Sequence, residues 1–260
     1  MHGAVPEVAP ASARLAALLR GKPLEGLERS FKLTDGGILG DRFLAGFSLA
    51  RVGIDWVLQT CRSLDMPAQD VEAVRAGLPE ADVVHFGCEA GGGVLYKVYL
   101  EYPRRLAAAG MAPRLLHVAW KWDAQDPSRR AVAHYRCLPG LTLADIEARI
   151  DRLEPGPAGA LLKDVAALSA SRSTEPLMYL EVNEEGNARA SFDLNVHAAG
   201  LALREIEPQL RGLRAHFGVP VPDFDAWFAP ARAARLGHVA GGLARSGVPF
   251  ATFYYAGSPA

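Results

Sequence analysis

Residues 83–101 read VVHFGCEAGGGVLYKVYLE, and this stretch decides the fold class. Two runs of strand-forming residues, Val83 to Glu89 and Val94 to Tyr102, are joined by Gly91-Gly92-Gly93, the pattern of a β-hairpin. Neighbours along a strand point to opposite faces. The second run therefore sets Val94, Tyr96, Val98 and Leu100 on one side and Leu95, Lys97, Tyr99 and Glu101 on the other. The first run divides Val84, Phe86 and Cys88 from His85, Gly87 and Glu89. Each strand thus has one greasy face and one face of mixed polar groups.

Working outward, the same texture repeats. Leu115 to Trp122 pairs with Ala131 to Cys137 across a turn-rich 123–128 segment, Leu177 to Asn183 with Arg189 to Val196 across residues 184–187, and His238 to Leu243 with Pro249 to Tyr255 across Arg245-Ser246-Gly247. Helices are expected between most of these hairpins: about 142–153, opened by a capping box from Thr142 to Asp145, about 158–170, about 198–217 with a kink near Pro208, and one capped by Asp223. The N-terminal part, residues 12–80, reads as helical. A short helix spans Ala11 to Arg20, a long amphipathic one spans roughly 42–64, and a third runs from near Pro67 to Gly77 with Asp65 as its cap. Residues 1–11 read as loosely ordered, and the whole of 1–260 as a single domain.

Hairpins make antiparallel strands, which disfavours Rossmann and TIM arrangements; Gly87 to Gly93 joins two strands and reads as a turn, not a phosphate cradle. With 28 Lys+Arg against 29 Asp+Glu, the net charge of −1 argues against a nucleic-acid partner. No apolar stretch reaches the ~18–20 residues of a membrane span. Residues 1–23 lack a basic segment ahead of an apolar one, which argues against a secretory signal. Cys61, Cys88 and Cys137 form neither a disulfide framework nor a metal-knuckle spacing, so a reducing cytoplasm is the default.

The greasy strand faces supply the surface on which the helices pack, giving an α+β fold of helices against an antiparallel sheet. The polar faces then either meet water on an open sheet or line a lumen in a sheet closed on itself. Two features favour closure. The polar face carries His, Tyr, Arg, Asn and acids instead of a Lys/Glu/Thr mixture. Of only five lysines, two, Lys97 and Lys121, fall on it.

The Lys97-Val98-Tyr99 triplet on a strand, within alternating strand pairs and helices, resembles the aromatic prenyltransferases of the ABBA type, over roughly residues 82–255. The resemblance implies an antiparallel β-barrel of repeated hairpins surrounded by helices, with the active site in the lumen. It also implies transfer of an allylic (dimethylallyl-type) group from a diphosphate donor to an aromatic small-molecule acceptor, as in secondary metabolism. In the indole-prenylating branch K-x-Y triplets hold the diphosphate and a strand glutamate contacts the acceptor nitrogen; Lys97 and Tyr99 match the triplet, and Glu89 sits where such an acid would lie. The family barrel has ten strands, whereas eight are read here.

Such a transfer needs cations against the leaving diphosphate and aromatic rings around a carbocation. Lys97, Lys121, Arg136 and Arg189 are the candidate cations, Tyr99, Tyr179 and Tyr254 the candidate rings, Asp193 a further polar contact, and Glu89 the general base. No DDxxD run is present, so magnesium is possible but not required and no cofactor is expected. His85, His117 and His134 lie on different strands without fixed spacing and are not read as metal ligands. The plainer alternatives are a cross-strand ion pair of Lys97 with Glu89 or Glu101 and Tyr99 as core-edge packing. At the level of the whole protein they are a non-prenyl enzyme, or a non-catalytic small-molecule-binding protein, using the same polar lumen. Oligomeric state is not legible.

Overall fold

A computed structural model describes residues 10–257 except 91–92, 108–109, 124 and 127, with the side chains of residues 10, 11 and 189 also outside the description. The expectation for 1–9 and part of the Gly91–Gly93 turn therefore fall outside the described residues, whereas residues 10 and 11, read as loosely ordered, begin the first helix. The strands are β1 Gly26–Thr34, β2 Gly37–Leu39, β3 Arg42–Ser48, β4 Val83–Ala90, β5 Val94–Glu101, β6 Arg114–Asp123, β7 Arg130–Leu138, β8 Met178–Glu184, β9 Asn187–Asn195, β10 Leu236–Leu243 and β11 Pro249–Ala256. The helices are α1 Pro10–Leu19, α2 Leu49–Val52, α3 Ile54–Ser63, α4 Ala68–Gly77, α5 Leu143–Leu153, α6 Pro157–Arg172, α7 Glu207–His216 and α8 Val221–Ala231.

Every strand pairing is antiparallel, from β11 through β10 and so on to β3 and β1, and β1 pairs back onto β11 with Ser30 opposite Tyr254. The sheet is therefore a closed ten-stranded barrel, with β2 as a short appendage on β1. The eight helices lie outside. Beneath α1, α3 and α4 the outward residues Phe47, Phe86, Tyr96, Val98 and Trp122 form one half of the core, and the Trp122 indole N–H is satisfied by the Leu64 carbonyl at 2.8 Å. Beneath α5 to α8 lies the other half, with Phe31, Tyr179, Phe192 and Phe253. This burial of outward side chains drives the helices onto the sheet.

Two barrel strands, β1 and β3, and the short β2 were unforeseen. The 42–64 stretch is not one helix: it is β3, then α2, then α3 after Gly53, because Phe43 and Phe47 four residues apart satisfy a helical repeat while Ala45 between them reveals the period of two. β1 also lies in the region read as helical, which accounts for ten strands against the expected eight. The capping box Thr142–Asp145 opens α5 as expected. Pro208 starts α7 and does not kink a longer helix, since a first-turn proline loses no intrahelical bond. α4 is capped at Pro67, while Asp65 takes a left-handed conformation and accepts from Arg14 at 2.7 Å. Asp223 sits in the first turn of α8, after Pro220 at the cap. In the glycine-rich end of β10, Gly242 has φ +123°, and a Cβ there would lie 2.7 Å from the Ala190 carbonyl oxygen, so the strands can approach only with glycine.

Candidate active site

Alternation places Lys97 and Tyr99 of β5, Glu89 and His85 of β4, Lys121 and His117 of β6, Asp193 of β9, and Tyr254 of β11 inside the barrel. The lumen has two ends joined through a collar of Tyr99, Tyr135, Tyr254 and Asp193, which line both. Tyr99 and Tyr135 lie 5.7 Å apart, ring centre to ring centre. Burial and the adjacent phenols raise the Tyr99 hydroxyl well above its ordinary range, so it is a neutral donor and acceptor.

The first end, about 600 Å³, is cationic. Lys97 stands directly opposite Lys121 in the β5–β6 register, and Lys32 of β1 and Arg42 of β3 complete the group. Three of the five lysines of the chain thus line one cavity. Glu89 accepts from Lys97 Nζ at 2.6 Å and lies 3.4 Å from Arg42 Nη2. Burial would raise its carboxyl, but Lys97 and Arg42 outweigh that and hold it well below the usual range. Burial lowers Lys97 more than Glu89 raises it. Around the mouth, Arg129, Arg130 and Arg245 are each engaged by a carboxylate, of Asp123, Asp70 and Glu184 respectively. Arg42 differs: it is 7% exposed, and its Nε and Nη1 are buried with no hydrogen-bond partner. Buried donors are nearly always paired; Arg42 lines this cation-rich cavity, and the idle nitrogens of its guanidinium leave it capacity for an anion.

The second end, about 490 Å³, is lined by histidines and carboxylates. His85 Nε2 lies 2.7 Å and His117 Nε2 3.7 Å from the same Glu101 oxygen. Burial would raise Glu101, but the two imidazoles outweigh it and depress its pKa strongly. His238 Nδ1 lies 2.7 Å from Asp193, and Glu28 is 3.1 Å from His197. Burial would lower His238, yet Asp193 and Glu28 raise it to about 9.

Six of the nine residues singled out from the sequence come together: Glu89, Lys97, Tyr99, Lys121, Asp193 and Tyr254. The Lys97–Glu89 pair exists, but inside the barrel instead of on a wet face. Two do not join. Tyr179 points outward, stacked on Phe192 at 5.8 Å beneath the helices, because its register partner Leu194 faces the outer core. Arg136 also points outward, opposite Leu115 and Glu181, and its neighbour Tyr135 takes the lumen. β7 therefore has the opposite orientation to the one Arg136 as a lumen cation requires: alanines at 131 and 133 look like core yet line the lumen. A bulge between Leu115 and His117 likewise turns Leu116 inward. The side chain of Arg189 lies outside the described residues. Lys32, Arg42, Glu28 and Tyr135 were missed; reading 26–34 and 42–48 at period two would have found the first three.

No protein-family model matches the chain, and no curated protein matches it in sequence. Solved structures do match in fold. PriB in its binary complex with product diphosphate aligns at a TM-score of 0.62 and 15% identity, over 89% of this chain and 79% of that one. The 5-dimethylallyl tryptophan synthase from Streptomyces coelicolor, in complex with DMASPP and Trp, aligns at 0.60 and 16%, over 90% and 81%. The 6-dimethylallyltryptophan synthase from Micromonospora olivasterospora, also with DMASPP and Trp, gives 0.58 and 15%, over 89% and 82%. The chain shares with them the closed ABBA, or PT-barrel, fold. Among the described residues no helix is long and apolar enough to cross a membrane.

Proposed function

We propose that the protein transfers an allylic group of the dimethylallyl type from a diphosphate donor to an aromatic small molecule. The observation that carries this is the buried guanidinium of Arg42, its Nε and Nη1 without partners, among Lys32, Lys97 and Lys121 at one end of a lumen floored by tyrosines. The diphosphate sits at the cationic end, where charge-assisted hydrogen bonds from these side chains offset its charge without a requirement for magnesium. The allylic C–O bond breaks, the electron pair leaves with the diphosphate, and the cation is shielded by the faces of Tyr99, Tyr135 and Tyr254. A ring carbon of the acceptor, entering from the histidine end, supplies the electron pair of the new C–C bond. The proton then lost from the ring goes to a carboxylate.

Glu89 is engaged by Lys97 and Arg42 at the donor end, so its part is to position those cations. The proton acceptor is Glu28, which lies at the acceptor end beside His197 and His238. The fold neighbours, solved in complex with diphosphate or with DMASPP and Trp, are consistent with this reading. The test is mass-spectrometric screening of indole, tyrosine and phenolic acceptors with dimethylallyl diphosphate. Turnover that Lys97→Ala abolishes is expected. Turnover unaffected by that change overturns the assignment of the donor end, and ligand binding without any turnover makes the protein a binder.

A further inference from the structure

Four of the seven histidines of the chain converge on the acceptor end, and three of the groups there form a compact donor set. The register of the sheet achieves what sequence spacing conceals: Glu101 of β5 lies opposite His117 of β6, and His85 stands on β4 two residues along from Val83, Glu101's partner, on the same face. The ligand-capable atoms of His85, Glu101 and His117 all lie within 4.8 Å of one another. Both imidazole Nε2 atoms face a single carboxylate oxygen, at 2.7 and 3.7 Å. Bonds of about 2.0–2.2 Å around a tetrahedral zinc put neighbouring ligand atoms about 3.3 Å apart, and the two distances bracket that value.

The set is also held in place. Gly46 of β3 makes room for the His85 ring, since a Cβ there would come 2.9 Å from its Nδ1. The His117 ring is fixed edge-on between Tyr99 and Tyr135, at 6.4 and 5.7 Å. All three groups are partly exposed and line the cavity, which leaves room for a further ligand from the lumen.

We propose that His85, Glu101 and His117 form a binding site for one divalent transition-metal ion of the zinc type. Two imidazoles and one carboxylate select such ions over magnesium, which prefers oxygen ligands. Three protein ligands with an open position match sites that present a metal to a small molecule, unlike closed structural sites. The metal would sit at the end opposite the diphosphate cations, so it has no part in holding the donor.

The experiment uses the full chain, untagged and freed of metal, titrated with Zn²⁺ by calorimetry and with Co²⁺ by visible absorption. One ion per chain bound at micromolar or tighter affinity is expected. His85→Asn and His117→Asn should each weaken binding at least tenfold, and millimolar Mg²⁺ should not displace the ion. His197→Ala, which alters the neighbouring Glu28–His197–His238 group, should leave that affinity within about twofold. The proposal is overturned if the wild-type chain binds no more tightly than the two asparagine variants, or if His197→Ala alone removes the site. Melting of each metal-free variant separates loss of ligands from loss of fold. Because metal binding is read without donor or acceptor, its failure is distinguishable from failure of the prenyl-transfer reading.

Discussion

Replacing Arg42 with methionine removes the guanidinium while keeping a long side chain in the β3 position. In the unliganded protein Arg42 Nε and Nη1 are buried without partners, and Nη2 only approaches Glu89 at 3.4 Å. A buried donor without a partner costs about 1–3 kcal/mol, so Arg42→Met should leave the melting temperature of the unliganded protein unchanged or higher. Diphosphate binding should respond in the opposite sense. Two donors that gain charge-assisted hydrogen bonds contribute about 1.5–3 kcal/mol each, so the variant should lose about 3–6 kcal/mol, or about two to four orders of magnitude in affinity. Calorimetric titration with inorganic diphosphate and with dimethylallyl diphosphate, at one fixed ionic strength, reads the loss directly. Thermal melting gives a second readout. Ligand at a hundredfold excess over Kd stabilises the wild-type protein by about 2.7 kcal/mol, a rise of roughly 5 °C for a chain of this size, which the variant should not show at the same concentration. Binding by Arg42→Met within threefold of wild type would falsify the assignment of this end of the lumen to an anion.

Glu89→Gln strands Lys97, which is buried, and should lower stability by about 2–3 kcal/mol, roughly 5 °C in melting temperature; an unchanged melting curve would show that the pair contributes nothing. His238, facing Asp193, Glu28 and Glu101 with the rings of His197 and Tyr254 against it, titrates near 9 in the folded protein and near 6.5 in the unfolded chain. Its contribution is therefore complete below about pH 6.5 and disappears as pH rises through about 9. Denaturation profiles should show stability falling across that window in the wild type and a much shallower fall in Asp193→Asn. Tyr135→Ala opens the collar between the two ends, and product analysis should show at least a tenfold rise in hydrolysed over transferred allylic group, with no change in ratio counting against the shielding role.

The fold was legible where period-two patterning coincides with turn residues, as in β4 to β11, and closure was legible in the kind of polar residue that alternates there. β1 was hidden because Arg29 interrupts the outward row of Leu27, Phe31 and Leu33, and β3 because its phenylalanines also fit a helix. Losing those two strands meant losing Lys32 and Arg42, two of the four cations Lys32, Arg42, Lys97 and Lys121, together with Glu28. The inversion of β7 has a different origin. Polarity marks the inward face only where helices cover the outer one, and Arg136 and His134 lie on a stretch of the barrel wall that is only partly covered. The histidine groups were invisible for a third reason: each is assembled across strands by register, which no linear spacing encodes.

The seam between β1 and β11 joins residues 26–34 to residues 249–256. During synthesis the edge carrying Glu28 and Lys32 must therefore wait for more than 200 residues before its partner leaves the ribosome. Both ends of the chamber are completed by that one late pairing, so a nascent or truncated chain lacking the final hairpin would expose an unzipped β-edge and have no working interior. Completion of the wall and enclosure of the lumen become a single event.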